Sequence, residues 1–145
     1  MTDIEFHVNV ADKLHYTCRL LRKVLRSGAK AVVTAEAELL AQLDQLLWQF
    51  SATGFLPHCL SLAPAQTVAF TPVLLTEQLD GCPADSVLIN LGQRVPANFE
   101  RFERFIEVAS DLPDDLGSAR TRWKHYKDRG YSLKRHELQT AAVAA

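Results

Sequence analysis

Two predicted strands, each followed by a predicted helix, open the sequence and constrain its fold most strongly. Residues 4–10 alternate apolar and polar side chains, whereas 31–34 is a short apolar run; both patterns predict strands. A helical pattern follows each strand, first from Asp12, a good N-cap, to Gly28, then from Ala35 to Phe50. Strand, helix, strand, helix is typical of a parallel sheet covered by helices.

The rest of the chain continues this pattern. Further elements are predicted as a short strand near 59–62, strands over 72–76 and 86–91, a short helix or turn over 99–105 and a strand over 106–108. The last long helix begins near Pro113 and ends at Gly130. We predict a single α/β domain over 1–138, a three-layer α/β/α structure with a mostly parallel sheet, Rossmann-like, and a frayed tail over 139–145.

Composition narrows the class of protein. The chain has 145 residues, 48% of them hydrophobic, and a formal net charge of −1. No apolar run reaches the ~20 residues of a membrane span, and the acidic N-terminus does not resemble a signal peptide. Cys18, Cys59 and Cys82 are far apart and are interpreted as reduced thiols. These features predict a cytoplasmic protein that has no contact with membranes.

Motifs for catalysis or cofactor binding are not found in the sequence. There is no G-x-x-x-x-G-K-[ST], G-x-G-x-x-G or G-x-S-x-G pattern. His58-Cys59 lacks the neighbouring ligands of a zinc site, and Cys18 lies on the apolar stripe of the first helix. His7 and His15 are predicted to approach each other, with no nucleophile beside them. We therefore expect a protein that is not an enzyme and has no catalytic, cofactor or metal site.

The C-terminal region is basic and aromatic. Seven of the sixteen Lys and Arg residues lie between Ser118 and His136, against one acid, Asp128. At 100° per residue, one stripe of the last helix is apolar and a basic row lies about 90° round from it. The apolar stripe comprises Leu116, Ala119, Trp123 and Tyr126, the basic row comprises Arg120, Lys124 and Lys127, and the opposite flank carries Arg122 and Arg129, to which no role is assigned.

Two kinds of ligand fit this arrangement. A pocket with an apolar floor and a basic rim suits a short peptide that has an apolar end and several carboxylates. Single-stranded nucleic acid is the alternative, because Trp123, Tyr126 and Tyr131 offer rings on which bases stack. A solvated basic helix face is the third interpretation.

The predicted helix over 35–50 carries one tryptophan away from its apolar stripe. Trp48 lies about 150° from the centre of the stripe formed by Leu39, Leu43, Leu46, Leu47 and Phe50. A tryptophan on an outer helix face is typical of a protein interface. The alternative is that the following loop, with Phe55 and Pro57, folds back to cover it.

The sequence resembles the chi subunit family of bacterial DNA polymerase III, an accessory subunit of the clamp-loader assembly. The resemblance covers nearly the whole chain, in order. It is carried by F-H-V-N-V-A-D-K-L-H-Y from Phe6, A-V-V-T-A-E from Ala31, L-D-Q-L-L-W-Q-F from Leu43, F-L-P-H from Phe55, V-L-I-N-L from Val87, F-E-R-F-I-E-V from Phe102 and A-R-T-R-W-K-H-Y-K-D-R-G-Y from Ala119.

This resemblance implies a fold without nucleotide binding and two protein partners. One is the psi subunit, with which a heterodimer is expected, and the other is the acidic C-terminal tail of single-stranded-DNA-binding protein. The implied psi surface comprises Trp48, Phe55 and Pro57, and a helicase is a further candidate partner there. The implied tail-binding residues are Arg120, Trp123 and Lys124, with Leu112 as an apolar wall. Contact with nucleic acid is then mainly indirect.

One departure from the family concerns the start of the last helix. Family members can carry a further basic residue there, whereas this chain has Leu116-Gly117-Ser118. Lys127 and Arg135 are the two candidates for supplying the missing charge.

Overall fold

The computed structural model describes residues 2–50, 58–60, 72–79, 82 and 85–137. Strands and helices alternate along most of this part of the chain. In order they are β1 (Asp3–Val10), α1 (Lys13–Arg26), β2 (Ala31–Thr34), α2 (Ala37–Phe50), β3 (His58–Leu60), β4 (Val73–Leu75), β5 (Val87–Asn90), a 3-10 helix (Phe99–Arg101), β6 (Arg104–Ser110), α3 (Pro113–Asp128) and β7 (Ser132–Glu137).

Within the described residues, seven strands form one sheet in the order β3-β4-β2-β5-β6-β1-β7. Every neighbouring pair runs parallel. One face of the sheet packs against α1 and α2, and the other packs against α3, so that two apolar cores lie on opposite sides. The predicted α/β fold with a parallel sheet is confirmed. No helix of the described part of the chain has the length and apolarity needed to cross a bilayer.

Strand β1 shows how the alternating pattern divides residues between the two faces. Ile4, Phe6 and Val8 are buried in the core under α3. Glu5 and His7 are partly buried and point to the opposite face. The register with β6 shifts between His7 and Val10, where Asn9 takes a positive φ of 62°. Because a bulge re-aims a strand, this one shapes the carboxyl end of β1.

The first helix begins and ends where the sequence predicts. The Asp12 side chain accepts a hydrogen bond from the His15 N–H at 3.1 Å, and Gly28 follows the helix with a φ of +85°. Cys18 is fully buried, which confirms its assignment to the core, and burial raises the pKa of its thiol to about 11. The expected approach of His7 to His15 is wrong. His7 contacts Tyr16 instead, whereas His15 lies near Asp12.

Strand β7 is the main element that the sequence pattern did not predict. It lies at the sheet edge beside β1, and five of its six residues are exposed. Gly130, with a φ of +83°, allows the chain to turn from α3 into this strand. The register aligns Phe6 with Arg135 and His7 with His136. Residues of β7 therefore alternate between the α3 side and the α1 side of the sheet.

Candidate functional site

A concavity of about 330 Å³ lies between α3 and the carboxyl ends of β1 and β7. Its apolar lining includes Phe6, Val8, Leu116 and Trp123. The Trp123 ring packs edge-on against Phe6, with ring centroids 5.1 Å apart, and stays partly exposed. Trp123 is thus held by the core while part of its ring still faces the concavity.

Two arginines and one acid form the polar lining of this concavity. Arg120 comes from α3, while Arg135 and Glu137 come from β7. The Arg135 guanidinium lies 3.2 Å from the Glu137 carboxylate, and both side chains are more than half exposed. Such an exposed ion pair is weak, about 0–1 kcal/mol, so an incoming carboxylate can compete for Arg135.

The structure brings together only some of the residues named from the sequence. Arg120, Trp123 and Arg135 line the concavity, and Lys124 is exposed one helical turn after Arg120. Lys127 is exposed but is not among the lining residues. Of the two candidates for an additional charge, it is therefore Arg135 that reaches this site.

Leu112, the apolar wall implied by the family resemblance, is not among the residues that line this concavity. It is 63% exposed and occupies the N-cap position of α3, where its backbone is extended. It lines a separate concavity with Leu14 and Leu39. Leu116, the first apolar residue inside the helix, is the leucine that contacts the concavity beside Trp123.

Arg122, to which the sequence assigned no role, holds α3 on the sheet. It is 2% exposed, and its Nε donates to Oε2 of Glu107 at 3.0 Å. The Tyr126 hydroxyl donates to the same oxygen at 2.6 Å, and the Asn90 amide donates to the other at 2.9 Å. Burial raises the pKa of the Glu107 carboxyl, and its three donors oppose that shift. The network fixes the helix that carries Arg120 and Trp123.

A second set of contacts fixes the beginning of α3. The Asp115 carboxylate accepts hydrogen bonds from the Ser110 N–H at 2.7 Å, from Lys13 at 3.1 Å and from the Gln93 amide at 3.0 Å. Although burial raises the pKa of the Asp115 carboxyl, the Ser110 N–H and the Lys13 charge outweigh it and hold that pKa below its ordinary value. The contacts tie the helix to β6 and α1.

The aromatic residues do not form the proposed platform for stacking bases. Tyr126 is fully buried and bonded to Glu107, so its ring is not available to a ligand. Tyr131 is partly buried, with its ring centroid 5.3 Å from that of Phe99. Only Trp123 of the three lines the concavity.

The crevice where parallel α/β sheets usually bind phosphates is acidic here. The concavity that contains Leu112 is also lined by Asp12, Glu36, Asp111 and Asp114. Negative side chains repel phosphate. This observation agrees with the lack of a phosphate-binding glycine pattern in the sequence.

Trp48 is 56% exposed near the end of α2. Leu43 and Leu47, on the predicted apolar stripe of this helix, are fully buried. The outward position of Trp48 is therefore confirmed. Phe55 and Pro57 lie outside the described residues, so their expected place beside Trp48 stays a prediction.

The fold and the concavity together define a class: a parallel α/β protein whose sheet edge carries a pocket with apolar and charged walls. Residues 1–134 match the family described as DNA polymerase III chi subunit, HolC. The chain belongs to this family, which makes it a replication accessory subunit.

Two curated relatives are named DNA polymerase III subunit chi. The relative from Pseudomonas aeruginosa is 31% identical over 145 residues, covering 95% of this chain and 98% of its own. The relative from Haemophilus influenzae is 30% identical over 118 residues, covering 80% and 81%, respectively. The similarity therefore extends over most of the fold.

Proposed function

We propose that this chain is a non-catalytic adaptor that joins the clamp loader to single-stranded-DNA-binding protein in the cytoplasm. In this proposal the psi subunit connects it to the clamp loader, and the concavity beside α3 captures the acidic C-terminal tail of the binding protein. The observation that supports tail capture best is the combination of a partly exposed Trp123 ring with Arg120 and Arg135 around one concavity.

Each part of the concavity suits one part of such a tail. An apolar terminal side chain fits against Trp123 and Leu116. The tail's carboxylates pair with Arg120, Lys124 and Arg135, because guanidinium and ammonium groups form charge-assisted hydrogen bonds to carboxylates. Exposed ion pairs contribute about 0–1 kcal/mol each, so the apolar anchor supplies much of the affinity.

Isothermal titration with the tail peptide tests this function. We expect the double variant Arg120→Ala, Lys124→Ala to abolish measurable binding while its circular dichroism stays that of the parent. The matched control is Lys23→Ala, Arg26→Ala, which removes two exposed basic residues from α1. Equal affinities of the two double variants would contradict tail capture.

The alternative function is direct binding of single-stranded nucleic acid. It rests on the same basic row, but the burial of Tyr126 removes one of its stacking residues. Fluorescence anisotropy with naked single strands distinguishes the two, since phosphate-driven binding weakens steeply as salt rises. Tight, salt-sensitive binding of naked DNA would favour this alternative.

A second surface, around Trp48, is proposed to bind psi. Its exposed indole is the kind of side chain that anchors protein interfaces. Trp48 lies on α2, on the sheet face opposite α3. Separate surfaces would let the chain hold both partners at once.

A further inference from the structure

Three potential metal ligands converge on the sheet face opposite the α3 concavity. Glu5 and His7 are two residues apart on β1, so both side chains point to that face. His136 of β7 is the register partner of His7, and the two imidazole centroids lie 5.1 Å apart. Sequence spacing does not indicate this group, because parallel pairing brings the first and last strands together.

The donor atoms are close to the separations found around a tetrahedral metal. Oε2 of Glu5 lies 3.3 Å from Nε2 of His7 and 3.8 Å from Nε2 of His136. One ligand atom from each of the three residues lies within 4.8 Å of the others. Donors bound about 2.0–2.1 Å from a tetrahedral zinc ion are about 3.3 Å apart. His136 is more than half exposed at the sheet edge, so its imidazole ring has room to move closer to Glu5 and His7 when a metal binds.

Neighbouring side chains orient two of the ligands. Nδ1 of His7 is hydrogen-bonded to the Tyr16 hydroxyl from α1, which leaves Nε2 directed at the cluster. Oε1 of Glu5 faces the Arg104 guanidinium at 3.7 Å, which leaves Oε2 on the side of the two imidazoles. Metal-binding histidines commonly have their second ring nitrogen fixed in this way.

We propose that Glu5, His7 and His136 form a binding site for a divalent first-row transition metal, with Zn²⁺ as the expected ion. Two imidazoles and a carboxylate are ligands that Zn²⁺ accepts, and water from the exposed side completes four-coordination. The site lies apart from the surfaces assigned to protein partners. The positive charges of Arg104 and of Lys134, the register partner of Glu5, lower the affinity of this site for a cation.

Metal binding would join the edge strand to the strand beside it. Two ligands come from β1 and the third from β7, whose opposite face carries Arg135 into the concavity. Zinc is therefore expected to reduce opening of β7. Amide hydrogen exchange of 132–137 reports this effect directly.

Isothermal titration of Zn²⁺ into the full chain, prepared without a histidine tag and stripped by chelator, tests the site. We expect one equivalent to bind, and His136→Ala and Glu5→Gln each to lower the affinity at least about tenfold. His15→Ala is the matched control, because His15 is exposed on α1 beside Asp12. Co²⁺ absorption supplies a second readout, since tetrahedral coordination by these ligands gives a visible band that the His136→Ala variant lacks.

Two outcomes would overturn the proposal. One is the absence of Zn²⁺ binding at micromolar metal in the parent chain. The other is equal Zn²⁺ affinity in the parent, His136→Ala and Glu5→Gln, which would place the metal elsewhere. Because His136 and Glu5 are not core residues, unchanged circular dichroism of both variants separates loss of ligands from loss of fold.

Discussion

The Nε atom of Arg122 lies 3.0 Å from Oε2 of Glu107, and the two side chains are 2% and 0% exposed. Glu107 is the single acidic residue of β6 and is fully buried. Its neighbours in sequence, Ile106 and Val108, are also fully buried. A buried carboxylate is costly unless it is paired and hydrogen-bonded. The pair therefore sets the position of α3 on the sheet, and with it the position of Trp123.

Arg122→Ala is expected to destabilise the fold by about 3–5 kcal/mol, because it leaves the Glu107 charge buried and unpaired. Urea denaturation measures this change. Arg129→Ala, at the C-cap of the same helix, removes an exposed side chain whose one described hydrogen bond is to His125. It is expected to change the free energy of unfolding by less than about 0.5 kcal/mol. Equal effects of the two substitutions would show that the buried pair does not stabilise the fold.

Trp123→Ala and Leu112→Ala test which concavity binds the tail peptide, because Trp123 lines the α3 concavity and Leu112 lines the other one. Trp123→Ala is expected to weaken tail-peptide binding at least tenfold, which corresponds to about 1.4 kcal/mol. Leu112→Ala should leave it within twofold, because Leu112 lines the other concavity. Titration calorimetry on both variants provides the comparison, and a large loss in Leu112→Ala alone would restore the placement inferred from the sequence.

Trp48→Ala is expected to reduce co-purification with psi and to leave tail-peptide affinity unchanged. Because Trp48 is 56% exposed, the loss should come from the interface rather than from the fold. Gln49→Ala, the neighbouring exposed position, is the control. Full recovery of psi with the Trp48 variant would argue against this surface.

Asp115 makes a pH-dependent contribution to stability. Its folded pKa is below the ordinary value of 3.8, so its contribution is present above that value and is lost as pH falls through the folded pKa. At pH 7, Asp115→Asn is expected to cost about 1–3 kcal/mol, because charged hydrogen bonds to Ser110 and Lys13 are lost. The difference between parent and variant should shrink as the pH falls below 3.8; a difference that stays constant down to pH 2 would contradict this assignment.

Periodicity predicted most of the fold because most elements bury one apolar face. The Asp12 cap, the end of α1 at Gly28 and the burial of Cys18 all follow from local patterns. Strand β7 was not predicted, because an edge strand buries few side chains and therefore lacks a clear apolar pattern. Leu133 is the one partly buried residue of this strand, and the other five are exposed. The run from Lys134 to Glu137 contains no apolar residue.

The site was predictable in part, since Arg120 and Trp123 are three residues apart on one helix. Helical phasing also placed Arg122 on the opposite flank, but phasing does not say what covers that flank. The sequence feature that could have indicated a buried role for Arg122 is Glu107. It is a lone acid in the apolar run Phe-Ile-Glu-Val-Ala, and a buried acid requires a partner. Leu112 was named from the family resemblance rather than from helical phasing, and it precedes the first helical residue and lines the other concavity.

The pairing of β1 with β7 also has a consequence for synthesis of the protein. Phe6 and Val8 precede Arg135 in the chain by more than 120 residues, so they leave the ribosome well before it. The α3 concavity therefore cannot form until β7 has emerged. A nascent chain would be unable to recruit a ligand there, and a product truncated before Ser132 would keep Trp123 but lack one wall.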